Sequence, residues 1–166
     1  TDHSTHIPVS VKNNLYYAIC IALYKSGRYD DALDWINYSN SFYVKHKRVS
    51  DNNMNTLMLL HVFIHYEIGN LVYVKNKITS FMRGYKSGYK DNNQDPVYIT
   101  VKHLRQALNS RSPEKIIHKL KENLETEFSQ ASASTIYFSI PMWLESIVKK
   151  KPYHELNRQQ AIKELT

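Results

Sequence analysis

Two histidines spaced one helical turn apart are the residues of this chain with the clearest metal-binding geometry. His61 and His65 lie four positions apart in an apolar segment, so both can face one side of a helix. A complete protein metal site needs three or four ligands, and the neighbouring Glu67 falls elsewhere on the helical wheel. The sequence therefore predicts no metal site and favours half-buried histidines that bond to a neighbour.

Nucleophilic chemistry is also poorly supported by the residue pattern. Cys20 is the one cysteine, and it lies in an apolar stripe without an assigned base, which predicts a small buried core residue. No Gly-x-Ser-x-Gly motif and no phosphate-cradling loop occur. Glutamates at 122, 125 and 127 share a polar helix face typical of a solvated surface. We therefore expect no catalytic residue, no cofactor and no enzymatic activity.

The elements that position these residues are predicted to be helices. The 166 residues are 42% hydrophobic with only 4 Gly and 5 Pro, which favours a helical core over a fold built from tight turns. Apolar spacing of three and four residues predicts a first helix over 11–26 and a second from Tyr29 to about Val44. The predicted buried stripe of the first helix is Leu15, Ala18, Ile19, Ala22 and Leu23.

The same pattern continues to the end of the chain. Gly27 and a second glycine, Gly69, are each expected to form the turn between two paired helices, the latter between 54–68 and a helix that starts at Leu71. Further helices are expected to start at Pro96, at Pro113 and near Pro141, because proline suits the first helical turn. A polar last helix over 153–165 completes an all-α fold of seven to eight helices.

The first pair of helices carries a repeat signature. Seven positions fall in register with the tetratricopeptide repeat, and this stretch resembles that family: Tyr16, Ile19, Leu23, Gly27, Tyr29, Ala32 and Ile36. The run 65–70, the basic Phe81-Met82-Arg83 and the late 143–146 are similar to a group of tetratricopeptide-like proteins of Bacteroidetes bacteria. That resemblance covers about residues 12–150, and the group has no established activity.

The resemblance implies a right-handed αα-superhelix of stacked antiparallel hairpins. It places an extended lead-in at 1–10 and one domain over 11–166, with repeats at about 12–46 and 53–87. A degenerate pair over about 96–128 and a cap over about 136–166 follow. In the family the first helices line an inner groove, which here maps onto Asn14, Tyr17, Ile21, Tyr24, Leu59, Phe63 and Tyr66.

A groove of this kind would bind a peptide or protein segment. The chain has 13 Tyr, and tyrosine offers a large rigid surface with a hydroxyl group. The alternative interpretation is that these tyrosines pack between helices. The chain starts with Thr1, no apolar run reaches the length of a membrane span, and no secretory signal is visible. We expect a C-terminal fragment of a longer cytoplasmic protein that serves as an interaction scaffold.

A basic helix offers a second functional hypothesis. The net charge is +7, and four cations fall within one helical quadrant: Lys75, Arg83, Lys86 and Lys90. Lys149-Lys150-Lys151 forms another cluster. Such lysines could contact phosphates in a nucleic-acid or regulatory binding module over 75–90. A solvated outer face and an acidic protein partner fit the same charges.

Overall fold

Eight α-helices and no strand make up the part of the chain that the computed structural model describes, residues 7–46, 51–88, 96–127 and 139–165. The helices are α1 (Val9–Lys25), α2 (Tyr29–His46), α3 (Asp51–Glu67), α4 (Leu71–Gly88), α5 (Pro96–Leu108), α6 (Pro113–Glu127), α7 (Ile140–Lys149) and α8 (Tyr153–Glu164). The predicted all-α class is confirmed. None of these helices combines the length and the apolar character that crossing a membrane requires.

The predicted helix starts agree closely with the structure. Tyr29, Leu71, Pro96 and Pro113 each begin a helix as expected, and α7 begins one residue before Pro141. Three boundaries were wrong. Helix α1 starts two residues earlier than predicted, at Val9 within the expected lead-in, and α3 starts three residues earlier, at Asp51. Helix α4 extends to Gly88 into the predicted loop. The small-residue connector predicted at 129–134 lies outside the described residues.

The helices belong to two compact units, Thr1–His61 and Val62–Thr166. In the first unit, α1 packs along α2. In the second unit each helix from α4 to α8 packs on the next one along the chain. Helices that follow one another along the chain are usually adjacent in space.

Three turns between helices have the same backbone geometry. Gly27 (φ +77°) and Gly69 (φ +79°) both lie in the left-handed region, as does Lys150 (φ +53°). In each case the following residue donates its N–H to a carbonyl five positions back, such as Arg28 to Leu23 at 2.9 Å. This hydrogen-bond pattern satisfies carbonyls at the helix end. The turns predicted at both glycines are confirmed, whereas the sequence did not signal the one at Lys150.

At the starts of α4, α7 and α8, a side chain accepts a hydrogen bond from a backbone N–H group. Asn70 precedes α4 and accepts a hydrogen bond from the N–H of Tyr73 at 3.3 Å. Ser139 caps α7 by accepting from the N–H of Met142 at 3.2 Å. At the start of α8, the distant Glu67 carboxylate accepts from the N–H of Tyr153 at 3.3 Å. These contacts satisfy N–H groups that a helix cannot pair internally.

The buried face of α1 differs from the predicted one. The structure buries Asn13, Tyr17, Cys20, Ile21 and Tyr24. The residues of the predicted stripe are exposed or half-buried: Leu15, Ala18, Ile19, Ala22 and Leu23. Because α1 is apolar on nearly every side, spacing alone did not select a face. Turning the tyrosines inward removes more apolar surface from water than turning the two alanines inward.

Tryptophan 143 forms the aromatic centre of the second unit. Its ring stacks on Phe63 with centroids 3.5 Å apart and planes 6° apart, and Tyr66 meets it edge-on at 5.5 Å. Trp143 and Phe63 are both fully buried. Packed rings of this size account for a large share of a core's apolar area. The stack therefore anchors α7 to the end of α3.

Substitutions at two of the turns should change stability in opposite directions. Within the described residues nothing lies within 4 Å of a Cβ at Gly69, so Gly69→Ala tests backbone strain alone. We expect it to lower the free energy of unfolding by about 1 kcal/mol. Lys150→Gly removes such strain and should raise that free energy by up to about 1 kcal/mol. Urea unfolding followed by circular dichroism measures both, and a loss of stability in Lys150→Gly would contradict the assignment.

Removing the central indole should be far more costly. Trp143→Ala leaves a cavity beside Phe63, and we expect the free energy of unfolding to fall by about 3–5 kcal/mol. The matched control is Val72→Ala, because Val72 is 74% exposed and should change stability by less than about 0.5 kcal/mol. A small effect of Trp143→Ala in urea unfolding would show that the aromatic stack does not anchor α7.

Candidate interaction surfaces

The structure buries most of the residues predicted to line an open groove. Of the seven, only Asn14 is exposed and Tyr66 is half-buried. The other five are core residues: Tyr17, Ile21, Tyr24, Leu59 and Phe63. Their side chains therefore pack inside the protein, as the alternative interpretation of the tyrosines held. The expectation that they face an open groove is corrected accordingly.

Three of the aromatic residues predicted to line the groove contact other aromatic rings of the chain. Trp143 of α7 covers Phe63 and Tyr66 through the stack described above. On the first pair of helices, the ring of Tyr24 lies 5.8 Å from that of Tyr29. Burial raises the pKa of Tyr66, and the nearby charge of Glu114 raises it further. Tyr24, Phe63 and Tyr66 are thus each in contact with another aromatic ring of the chain.

The opposite side of α1 takes part in a cluster of aromatic rings within the first unit. Tyr16 lies 5.7 Å from Trp35, 5.2 Å from Tyr38 and 5.3 Å from Phe42, measured between ring centroids. Trp35 and Tyr38 also meet edge-on at 5.7 Å. A hydrogen bond with Tyr38, followed by burial, raises the pKa of Tyr16. The rings are therefore tied together while their outer side remains open.

Exposed aliphatic side chains extend this cluster along α1. Val11 is 51% exposed, Leu15 is 50% exposed and Tyr38 is 54% exposed. Together with the half-buried rings they form what we call the aromatic face: Val11, Leu15, Tyr16, Ile19, Trp35, Tyr38 and Phe42. A contiguous apolar surface that includes Trp and Tyr is typical of an interaction site. The prediction missed this face because Leu15 and Ile19 were assigned to the buried stripe of the first helix.

The two histidines have separate surroundings. His61 is buried, whereas His65 is half-buried and its ring lies 4.0 Å from that of Tyr73. The Nδ1 atom of His65 is 3.5 Å from Nδ2 of Asn70. The pKa of His65 is lowered mainly by burial and, to a smaller extent, by the charge of Lys77. No group of three His, Cys, Asp or Glu residues suited to a metal ion occurs among the described residues. The two rings therefore serve as packing residues.

Cys20 is a buried thiol, as predicted. Its Sγ atom lies 3.9 Å from Oγ of Ser39, which in turn donates to the carbonyl of Trp35 at 2.7 Å. Burial raises the pKa of the Cys20 thiol to about 11. A thiol that keeps its proton and is shielded from water is a poor nucleophile.

Two of the four residues predicted to form the basic patch are exposed in the structure. Lys75 and Arg83 are exposed on α4, Lys86 lies near the end of the same helix, and Lys90 is outside the described residues. The structure adds a cation that the sequence pattern did not: Arg105 of α5 lines one groove with Lys75. The missing signal was the pairing of α4 with α5, which helical spacing cannot reveal.

The second basic cluster has structural roles. Lys149 forms an ion pair with Glu145 on α7, and Lys121 of α6 lies 3.7 Å from the same carboxylate. The hydrogen bond from Lys149 is the main reason that the pKa of Glu145 is lowered. Lys150 takes the left-handed turn after α7. Lys149 is therefore an exposed lysine that is paired with a carboxylate of its own helix.

Comparison with protein-family models, curated proteins and solved structures found no significant match.

Chemical labelling should find Cys20 unreactive in the folded protein. With a pKa of about 11, roughly a thousandth of the thiol is ionised at pH 8. We expect labelling by a thiol reagent to be at least about 100-fold slower in buffer than in urea. Comparable rates in the two solutions would show that the thiol is accessible.

The raised pKa also predicts how stability changes with pH. Between the ordinary value of 9.0 and about 11, the unfolded chain loses the thiol proton while the folded chain keeps it. The contribution of Cys20 is therefore present below pH 9 and is lost as the pH rises towards 11. Since tyrosines titrate in the same range, the measurement is the difference between wild type and Cys20→Ala in urea unfolding. An identical pH dependence of the two proteins would contradict the burial of the thiol.

Proposed function

We propose that the protein is a non-enzymatic interaction module that binds an amphipathic helix of a partner protein on its aromatic face. The observation that carries the proposal is the cluster in which the ring of Tyr16 contacts three other aromatic rings. One of these three, Tyr38, is 54% exposed. Burying such a surface against a partner supplies most of the binding free energy in many protein complexes.

The proposed architecture is a superhelix of antiparallel hairpins of the tetratricopeptide type. Matching turns at Gly27 and Gly69, 42 positions apart in the sequence, support two successive hairpins. In solenoids each hairpin buries one face against a neighbour, so an uncovered face at one hairpin favours binding of another helical element.

The spacing of the face favours a helix as the ligand. Val11, Leu15 and Ile19 follow one another at four-residue intervals on α1, and α2 contributes Trp35, Tyr38 and Phe42 at intervals of three and four. Rows with this spacing form ridges, and the groove between two packed helices accepts the ridge of a third. An extended peptide that adds to a sheet edge would find no strand among the described residues.

A selection experiment tests the proposal without knowledge of the natural partner. A displayed library of amphipathic helical peptides is selected on the intact chain, and binding of the recovered peptides is measured by fluorescence polarisation. We expect apolar residues at intervals of three and four in the peptides, and at least tenfold weaker binding to Leu15→Glu and to Tyr38→Glu. Both positions are half exposed, so circular dichroism should show unchanged helicity.

The control variant is Val72→Glu, which places the same charge at an exposed aliphatic residue of α4. Equal loss of binding in this control, or peptides that bind both face variants normally, would overturn the assignment of the site. Sedimentation of the unliganded protein tests whether the aromatic face mediates a dimer instead. A dimer that Tyr38→Glu dissociates would show that a second copy, rather than a partner helix, covers the aromatic face.

A further inference from the structure

The charges of the second unit are unevenly distributed. Helices α4 and α5 together carry six lysines and arginines and no carboxylate: Lys75, Lys77, Arg83, Lys86, Lys102 and Arg105. Asp91 and Asp95 belong to the connecting segment, outside the described residues. Two packed helices with cations alone produce a positive surface that attracts an anionic partner.

A small groove lies between these two helices. Its walls are Lys75, Ile78 and Thr79 of α4 and Arg105, Leu108 and Asn109 of α5, and its volume is about 140 Å³. Lys75 and Arg105 are both exposed, whereas Ile78 is fully buried. The groove therefore has an apolar side and a pair of cations.

Its polar residues are held by their own helices. The Thr79 hydroxyl donates to the carbonyl of Lys75 at 2.8 Å, and Nδ2 of Asn109 donates to the carbonyl of Arg105 at 2.9 Å. Neither Lys75 nor Arg105 has a carboxylate partner within the part of the chain that the structure describes. The exposed side chains of Lys75 and Arg105 are therefore available to bind an external anion.

The same unit contains a filled version of this arrangement. Between α6 and α7, the carboxylate of Glu145 lies between Lys121 and Lys149, and the hydrogen bond from Lys149 lowers its pKa. The α4–α5 groove likewise has one cation from each of two adjacent helices, and no carboxylate is among its lining residues. Arginine is well suited to that ligand, because its guanidinium can donate two parallel hydrogen bonds to one carboxylate.

We propose that the groove between α4 and α5 binds a carboxylate side chain from an acidic segment of a partner protein, held between Lys75 and Arg105. Ile78 and Leu108 contact the aliphatic part of that side chain or of its apolar neighbour. The site is separate from the aromatic face and does not depend on the function proposed for it.

The groove fits an acidic protein segment better than a nucleic acid. Its volume of about 140 Å³ is enough for one side chain. Proteins that bind single-stranded nucleic acid stack bases on aromatic rings, and no aromatic residue lines this groove. Further contacts along the segment come from Arg83, which shares a helix face with Lys75 and Thr79 through four-residue spacing.

The test uses a fluorescein-labelled peptide in which a central leucine is flanked on each side by two glutamates, and its glutamine counterpart. Binding to the intact chain is followed by fluorescence polarisation at several salt concentrations. We expect the glutamate peptide to bind, the glutamine peptide to bind at least tenfold more weakly, and added salt to reduce the affinity. The double variant Lys75→Glu/Arg105→Glu should weaken the glutamate peptide by at least tenfold.

The matched control is Lys119→Glu/Arg158→Glu, which makes the same change in net charge at exposed residues of α6 and α8. Equal loss of binding in the control would show that total charge, not the groove, attracts the peptide, and would overturn the proposal. Failure of the glutamate peptide to bind wild type would do so as well. A labelled oligothymidylate is the third probe: tighter binding than the peptide, abolished by Lys75→Glu/Arg105→Glu, would assign the groove to nucleic acid instead.

Discussion

The constraint on which the structure depends is that helix α3 must be covered on all sides. Every residue from Leu59 to Ile64 is buried, including His61. Six consecutive residues span all directions around a helix, so no single packing partner can remove them from water. At its end, Trp143 of α7 provides part of this cover by stacking on Phe63. A segment distant in sequence is thus required to complete the surroundings of α3.

The burial of aromatic residues within each unit determines which surfaces remain for binding. The aromatic residues that a repeat register assigns to an inner groove, such as Phe63 and Tyr66, contact Trp143 instead. In the first unit, Tyr17 and Tyr24 turn into the core, which leaves Tyr16 on the other side of α1. The exposed aromatic surface is therefore a consequence of how the larger side chains are buried. A helix with apolar residues all round cannot bury every one against a single neighbour.

Acidic and basic residues are unevenly distributed among the helices. Helix α2 begins with Asp30 and Asp31, which suit the positive end of a helix. Lys121 and Lys149 share the carboxylate of Glu145, whereas α4 and α5 have no acidic residue of their own. The protein consequently presents an apolar face in one unit and a cationic groove in the other, two surfaces with different chemical preferences.

The sequence by itself determined where most helices start and the two turns at glycine. Proline at 96 and 113, glycine at 27 and 69, and apolar spacing of three and four residues act locally, so their effect on the backbone can be read from neighbouring positions. The burial of Cys20 was also predictable, because a small apolar residue among apolar neighbours favours the core.

Only the tertiary structure decided which face of α1 is buried and where the candidate sites lie. Leu15 and Ile19 are four residues apart and Tyr17 and Tyr24 are seven apart, and both spacings place a pair on one face of a helix. The choice between the two faces depends on the area that each removes from water against a partner helix. Likewise, Lys75 and Arg105 are 30 positions apart in the sequence and meet at one groove through the packing of α4 on α5. Local patterns specify the backbone of a helix, whereas contacts between helices specify its surface.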